Sequence, residues 1–152
     1  VLVAPLLLLL LAACGAESGP AGTASHDSPE GAVRGLVDAL ARNDARAAAD
    51  WILPAERDDF SGGIDEARSL GLRPLFSVRG FAVESVQAEG GDGNRAQVRY
   101  AGSVSFCLSG SAGGKAVNNC SAVQSQSGAG SADVFVCVRQ GGGWYVSIAG
   151  RS

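Results

Sequence analysis

RAQVRYAGSVSFCL, residues 95–108, places apolar or small side chains at every second position: Ala96, Val98, Tyr100, Gly102, Val104 and Phe106. Gln97, Arg99, Ser103 and Ser105 fall between them. A period of two puts the two sets on opposite faces of an extended chain, which predicts a strand with one side against a core and the other in water. Toward the N-terminus, EGGDGN (89–94) is a turn cluster, and no helix follows it that would make it a phosphate loop. FSVRGFAVESVQAE (76–89) mixes short alternations around Gly80, where a bulge is expected. Toward the C-terminus, residues 109–131 are rich in Ser, Gly and Asn and read as a long loop. ADVFVCVRQGGGWYVSIAG (132–150) then predicts two strands joined by Gln140–Gly143, with Trp144, Val146 and Ile148 on a shared apolar face.

Ahead of these strands the period changes. In SPEGAVRGLVDALARND (28–44), Ser28 suits an N-cap, Pro29 the first turn, and Glu30 the positive end of the helix dipole. Val33, Leu36, Val37, Leu40 and Ala41 form one helical stripe. Asn43-Asp44 breaks it, and Asp44 can cap a second helix through ARAAADWIL, stopped by Pro54. PAERDDF (54–60) has no clear period, and a third helix is expected over about 63–70, ending at Gly71. Helices first and a meander afterwards predict an α+β domain over residues 28–152, with N-terminal helices packed on a curved antiparallel sheet.

SPEGAVRGLVDALARNDARAAADWILP resembles the opening of the nuclear transport factor 2-like superfamily. VFVCVRQGGGWYVSI is similar to the last hairpin of small lipoproteins of that superfamily from high-GC Gram-positive bacteria. The resemblance spans roughly residues 28–149 and rests on pattern, without an invariant motif. It implies a nuclear transport factor 2-like (cystatin-like) cone enclosing an apolar cavity, and no activity. Inward-facing Val98, Tyr100, Val104, Phe106 and Trp144 are the candidate lining.

Residues 1–13 carry no charge, and positions 6–11 are all leucine. Thirteen residues span roughly 20 Å as a helix, short of the ~30 Å hydrocarbon core, so a signal segment fits better than a permanent span. Leu11-Ala12-Ala13-Cys14 resembles the lipobox of bacterial lipoproteins. That resemblance implies cleavage before Cys14 and a diacylglycerol on its sulfur. The predicted address is therefore the extracytoplasmic face of the cell membrane, held by lipid at Cys14. No basic segment precedes the leucines and the first residue is Val1, which points to chain upstream of it. Residues 14–27, rich in Gly, Ala and Ser, read as a tether, and His26, the only histidine, is expected to be solvated within it.

Net charge is −3 with pI near 5.0, which argues against a nucleic-acid partner. Beyond Cys14, three cysteines allow one pair. Cys107–Cys120 is favoured because it closes a Gly- and Ser-rich loop, with Cys137 the alternative partner of either. Cys137 within VFVCV also suits a buried, inert thiol. The spacings lack a C-x-x-C pair, so neither a metal site nor a cofactor is expected.

The superfamily includes isomerases and dehydratases that use Asp, Tyr or His deep in the cone. Here the candidates are Asp50, the Asp58-Asp59 pair and Tyr100, read respectively as the wet side of a helix, a solvated turn and a core aromatic. With no histidine inside 28–152, Ser-His and Cys-His catalysis are set aside. The expectation is a non-enzymatic envelope lipoprotein that binds a small apolar ligand or an envelope protein. An isomerase- or dehydratase-type enzyme, or a structural spacer, is the alternative.

Overall fold

The computed structural model describes residues 22–123 and 133–149. The signal segment and Leu11–Cys14 lie outside them. The elements are α1 (Pro29–Ala41), α2 (Ala45–Trp51), a 3-10 turn (Pro54–Glu56), α3 (Arg57–Ser69), β1 (Leu72–Glu89), β2 (Arg95–Ala112), β3 (Lys115–Ala122), β4 (Val134–Gln140) and β5 (Gly143–Ser147).

Local chemistry sets the helix ends. The Ser28 hydroxyl accepts the Gly31 N–H at 3.0 Å, and the Asp44 carboxylate accepts the Ala47 N–H at 3.0 Å. Between the two helices Asn43 takes φ 54°, a left-handed turn that asparagine tolerates. A Cβ at Gly35 would lie 2.2 Å from the Trp51 indole, so only glycine lets α2 pack this closely on α1. α2 ends two residues short of the expected Leu53. Ile52 turns extended and bridges Val146 in parallel, and Leu53 N–H donates to the Val146 carbonyl at 2.9 Å. α3 begins at Arg57, six residues before the expected start. Asp58 and Asp59 occupy its first turn, where the helix dipole favours acid, so the polar PAERDDF stretch is a helix opening.

The sheet is antiparallel and curled, in the order β1-β2-β4-β5, with β3 also paired to β2. β1 and β2 form a long hairpin running from Leu72↔Gly110 to Glu89↔Arg95. Its register shifts between Arg79 and Ala82, at the Gly80 bulge. There Gly102 meets the partner strand so closely that a Cβ would fall 2.4 Å from the Gly80 oxygen. Such a kink raises local twist and curls the sheet. β2 changes partner along its length, taking β4 over 95–99 and β3 over 105–112. The expected 109–131 loop is thus corrected in part: β2 runs on to Ala112, turns through Gly113-Gly114, both at positive φ, and returns as β3. β3 is exposed along most of its length, so no alternation betrayed it.

α1 lies across the inner face and fills it with Val33, Leu36, Val37 and Leu40, all at most 3% exposed. Beneath them pack Val98, Tyr100, Val104, Phe135 and Val146. Phe135 stacks on Tyr100 with ring centroids 5.0 Å apart.

The expected tether over 14–27 is corrected at its last residues, where His26 joins the folded body. Trp144 N–H donates to the His26 carbonyl at 2.8 Å, and His26 Nδ1 lies 2.7 Å from the Trp144 carbonyl. A carbonyl only accepts, so Nδ1 carries the hydrogen. The imidazole stacks on Trp51 at 4.3 Å and tilts against Tyr145 at 4.6 Å. His26 therefore belongs to the folded body rather than to solvent, and the histidine-free domain assumed from sequence is corrected. Its partners lie too far along the chain for a local pattern to show.

Candidate functional site

Where β2 leaves the cover of α1, the inner face opens into an apolar pocket of about 250 Å³. Phe60, Gly63 and Ile64 contribute from α3, Phe76 from β1, Phe106 from β2, Val123 from just after β3 and Ile148 from just after β5. Positions i, i+3 and i+4 share a helix face, which aims the α3 residues together. Phe76 and Phe106 are direct cross-strand partners with rings 5.1 Å apart, and Phe60 stands 6.2 Å from Phe76. Gly63 keeps the rim low, for a Cβ there would meet nothing within 4 Å.

Polar bonds behind the lining hold it in place. The Asn43 side-chain oxygen accepts the Phe76 N–H at 2.6 Å. Val123 N–H donates to the Val104 carbonyl at 2.8 Å, and the Tyr100 hydroxyl donates to the Val123 carbonyl at 3.3 Å. Glu56 gathers the chain after β5, accepting the Ser147 hydroxyl at 2.9 Å, the Ile148 N–H at 2.7 Å and the Ala149 N–H at 3.2 Å. None of the described lining side chains ionises.

Of the five expected lining residues only Phe106 reaches this pocket. Val98, Tyr100, Val104 and Trp144 are instead buried in the core cluster, packed with the α1 stripe. Sequence reasoning missed Phe60, Gly63, Ile64, Phe76, Val123 and Ile148 as a set. A signal existed in the Phe60–Ile64 spacing, but starting the helix at 63 hid it.

The catalytic candidates do not converge. Asp50, Asp58 and Asp59 are exposed. Tyr100 is 2% exposed, and burial, then the negative charge of Asp133, raises its phenol above the ordinary value. Asp133 itself is exposed, and besides the Tyr100 phenol and the Cys137 thiol Ser147 is the one buried polar side chain among the described residues. Also among the described residues, no three His, Cys, Asp or Glu side chains group as metal ligands, and no helix is long and apolar enough to cross a membrane. Cys107 and Cys120 stand opposite each other on β2 and β3 at disulfide distance, 2.05 Å between sulfurs. Cys137 is a free thiol buried on the core side, its Sγ 3.6 Å from the Pro29 carbonyl, and burial pushes it up to about 12. That placement removes it from either alternative pairing.

No family model matches the chain, and no curated protein does. Among solved structures, the fold is similar to the crystal structure of the intermembrane space region of chloroplast protein ARC6. Identity is 16%, the TM-score is 0.50, and the match covers 76% of this chain and 89% of that one. At this identity the likeness speaks for architecture alone: helices on a curled antiparallel sheet.

Proposed function

We propose that this protein is an extracytoplasmic lipoprotein of nuclear transport factor 2-like type, anchored through lipid at Cys14, whose domain binds a small apolar ligand without transforming it. The observation that carries the binding role is the pocket of three phenylalanines, two isoleucines and a valine, with no ionisable side chain among the described residues of its lining. Catalysis by acid or base needs such a group within reach of the substrate. Cavities of about 150 Å³ hold a benzene ring. A pocket of about 250 Å³ therefore suits a substituted ring or the tip of an acyl chain. Support for the address comes from Leu11-Ala12-Ala13-Cys14 at the end of the leucine run. Two acyl chains or more anchor stably, at about 0.8 kcal/mol per buried methylene.

Two measurements test this reading. Titration of the domain with the uncharged probe N-phenyl-1-naphthylamine should saturate at one site, and Phe76→Asp should abolish the signal. Saturation at a site that Phe76→Asp leaves intact would refute the pocket. Metabolic labelling with palmitate should mark the wild-type chain and not Cys14→Ser.

A further inference from the structure

The Cys107–Cys120 bridge lies on the outer face of the sheet, in a surface groove of about 200 Å³ lined by both cysteines, Ser77, Arg79, Ser103 and Ser105. Cys120 is exposed. Apart from its ladder with β2, the strand that it fastens has no other described partner strand, and most of its residues face water. Yet Val123, the residue just after β3, walls the apolar pocket on the opposite face. Cys107 is the immediate neighbour of Phe106, and Cys120 stands three residues before Val123. Alternation along a strand therefore sets each cysteine on the outside and each lining residue within.

We infer that the Cys107–Cys120 bridge is a reducible strap that controls the pocket, an inference resting on the ligand-binding role proposed above. The reductant is a dithiol. Its thiolate attacks the exposed Cys120 sulfur and forms a mixed disulfide while the S–S bond breaks. Cys107 leaves as a thiolate and takes up a proton. The reductant's second thiolate then displaces Cys120, which is protonated in turn. Two electrons and two protons pass to the protein, and the dithiol becomes a disulfide. Arg79, the only charged side chain among the described residues lining the groove, favours the approach of a thiolate. Exposed disulfides are the labile ones in exchange chemistry, whereas the Cys137 thiol, fully enclosed, takes no part. Once the bridge opens, β3 separates from β2, the Val123 bonds to Val104 and Tyr100 are lost, and the pocket loses that wall.

The test compares oxidised and dithiothreitol-reduced protein by amide hydrogen exchange and by N-phenyl-1-naphthylamine titration. Dithiothreitol should open the bridge without denaturant. Exchange over residues 116–123 should then accelerate while α1 and β4 stay protected. The probe should bind about tenfold more weakly, the loss expected for a valine-sized wall, and reoxidation should restore it. The Cys107→Ser/Cys120→Ser variant should bind as weakly and ignore dithiothreitol. A bridge that resists dithiothreitol in the native protein overturns the inference, as does reduction that leaves β3 exchange and probe affinity unchanged. If oxidised protein binds no probe, the ligand reading fails, and exchange at Phe106 and Val123 alone decides whether the bridge holds β3.

Discussion

From Arg95 to Val104, β2 runs beneath α1, with β4 beside its first residues; from Ser105 to Ala112 it runs beside β3. Both halves alternate apolar and polar side chains. In the first, Val98, Tyr100 and Val104 are sealed at 0–2% exposure. In the second, Phe106 stays partly exposed and lines a pocket. The strand pattern is shared, so the difference comes from what lies above it. α1 presents a continuous apolar stripe, whereas α3 presents Phe60 and Ile64 separated by Ser61, Gly62 and Gly63. A helix with small residues on its inner rim leaves space, and space on an apolar face is where a ligand fits.

The largest expected effect probes the sealed half. Phe135→Ala should cost about 3 to 5 kcal/mol by urea unfolding, whereas Phe106→Ala, less buried, should cost visibly less and lower probe affinity instead. Equal losses at the two sites would erase the distinction. Next comes the bridge: Cys107→Ser/Cys120→Ser should remove up to about 3 kcal/mol, given the loop that it closes. Exchange protection should fall in β3 and hold in α1. Gly35→Ala, which drives a methyl into the Trp51 ring, should cost about 1 to 3 kcal/mol and shift the tryptophan fluorescence.

A pH series tests the sealed half by another route. The Cys137 thiol has its folded pKa raised above the unfolded value of 9.0, so its stabilising contribution is complete below pH 9 and declines as pH rises toward the folded value of about 12. Between pH 9 and about pH 10 the unfolding free energy should drop by about 1 kcal/mol more in wild type than in Cys137→Ala. The same thiol should stay unlabelled by maleimides until the protein unfolds. Smallest in stability is Gly63→Leu, which should gain about 0.7 kcal/mol from helix propensity while its side chain covers the pocket and weakens the probe. A gain in stability joined to a loss in binding is the signature sought there.

Most of the architecture was legible where burial leaves a period. The α1 stripe, the β2 alternation and the β4–β5 hairpin each face a core, and each was readable from spacing. Ser28 and Asp44 cap N–H groups three residues on, Gly80 acts through its own backbone, and such local effects were readable too. β3 was hidden because a strand exposed along most of its length shows no alternation. The start of α3 was hidden because Asp58 and Asp59, helix-favouring in a first turn, look like loop residues in isolation. The pocket was the least legible feature. It joins Phe60, Phe76, Phe106, Val123 and Ile148 across five segments, and only the three-dimensional position of α3 decides that Phe106 meets space while Val104 meets core. His26 is illegible for a related reason, since its ring partners come from two distant elements, Trp51 from α2 and Tyr145 from β5.

One titration bears on the contrast most directly. Heteronuclear NMR spectra of the oxidised domain should be followed while indole or benzene is added. Resonances of Phe60, Ile64, Phe76, Phe106 and Ile148 should move together and saturate, while those of Val33, Leu36, Val98 and Phe135 stay fixed. Shifts centred on the α1–β4 side, or none at Phe76 and Phe106, would contradict the account.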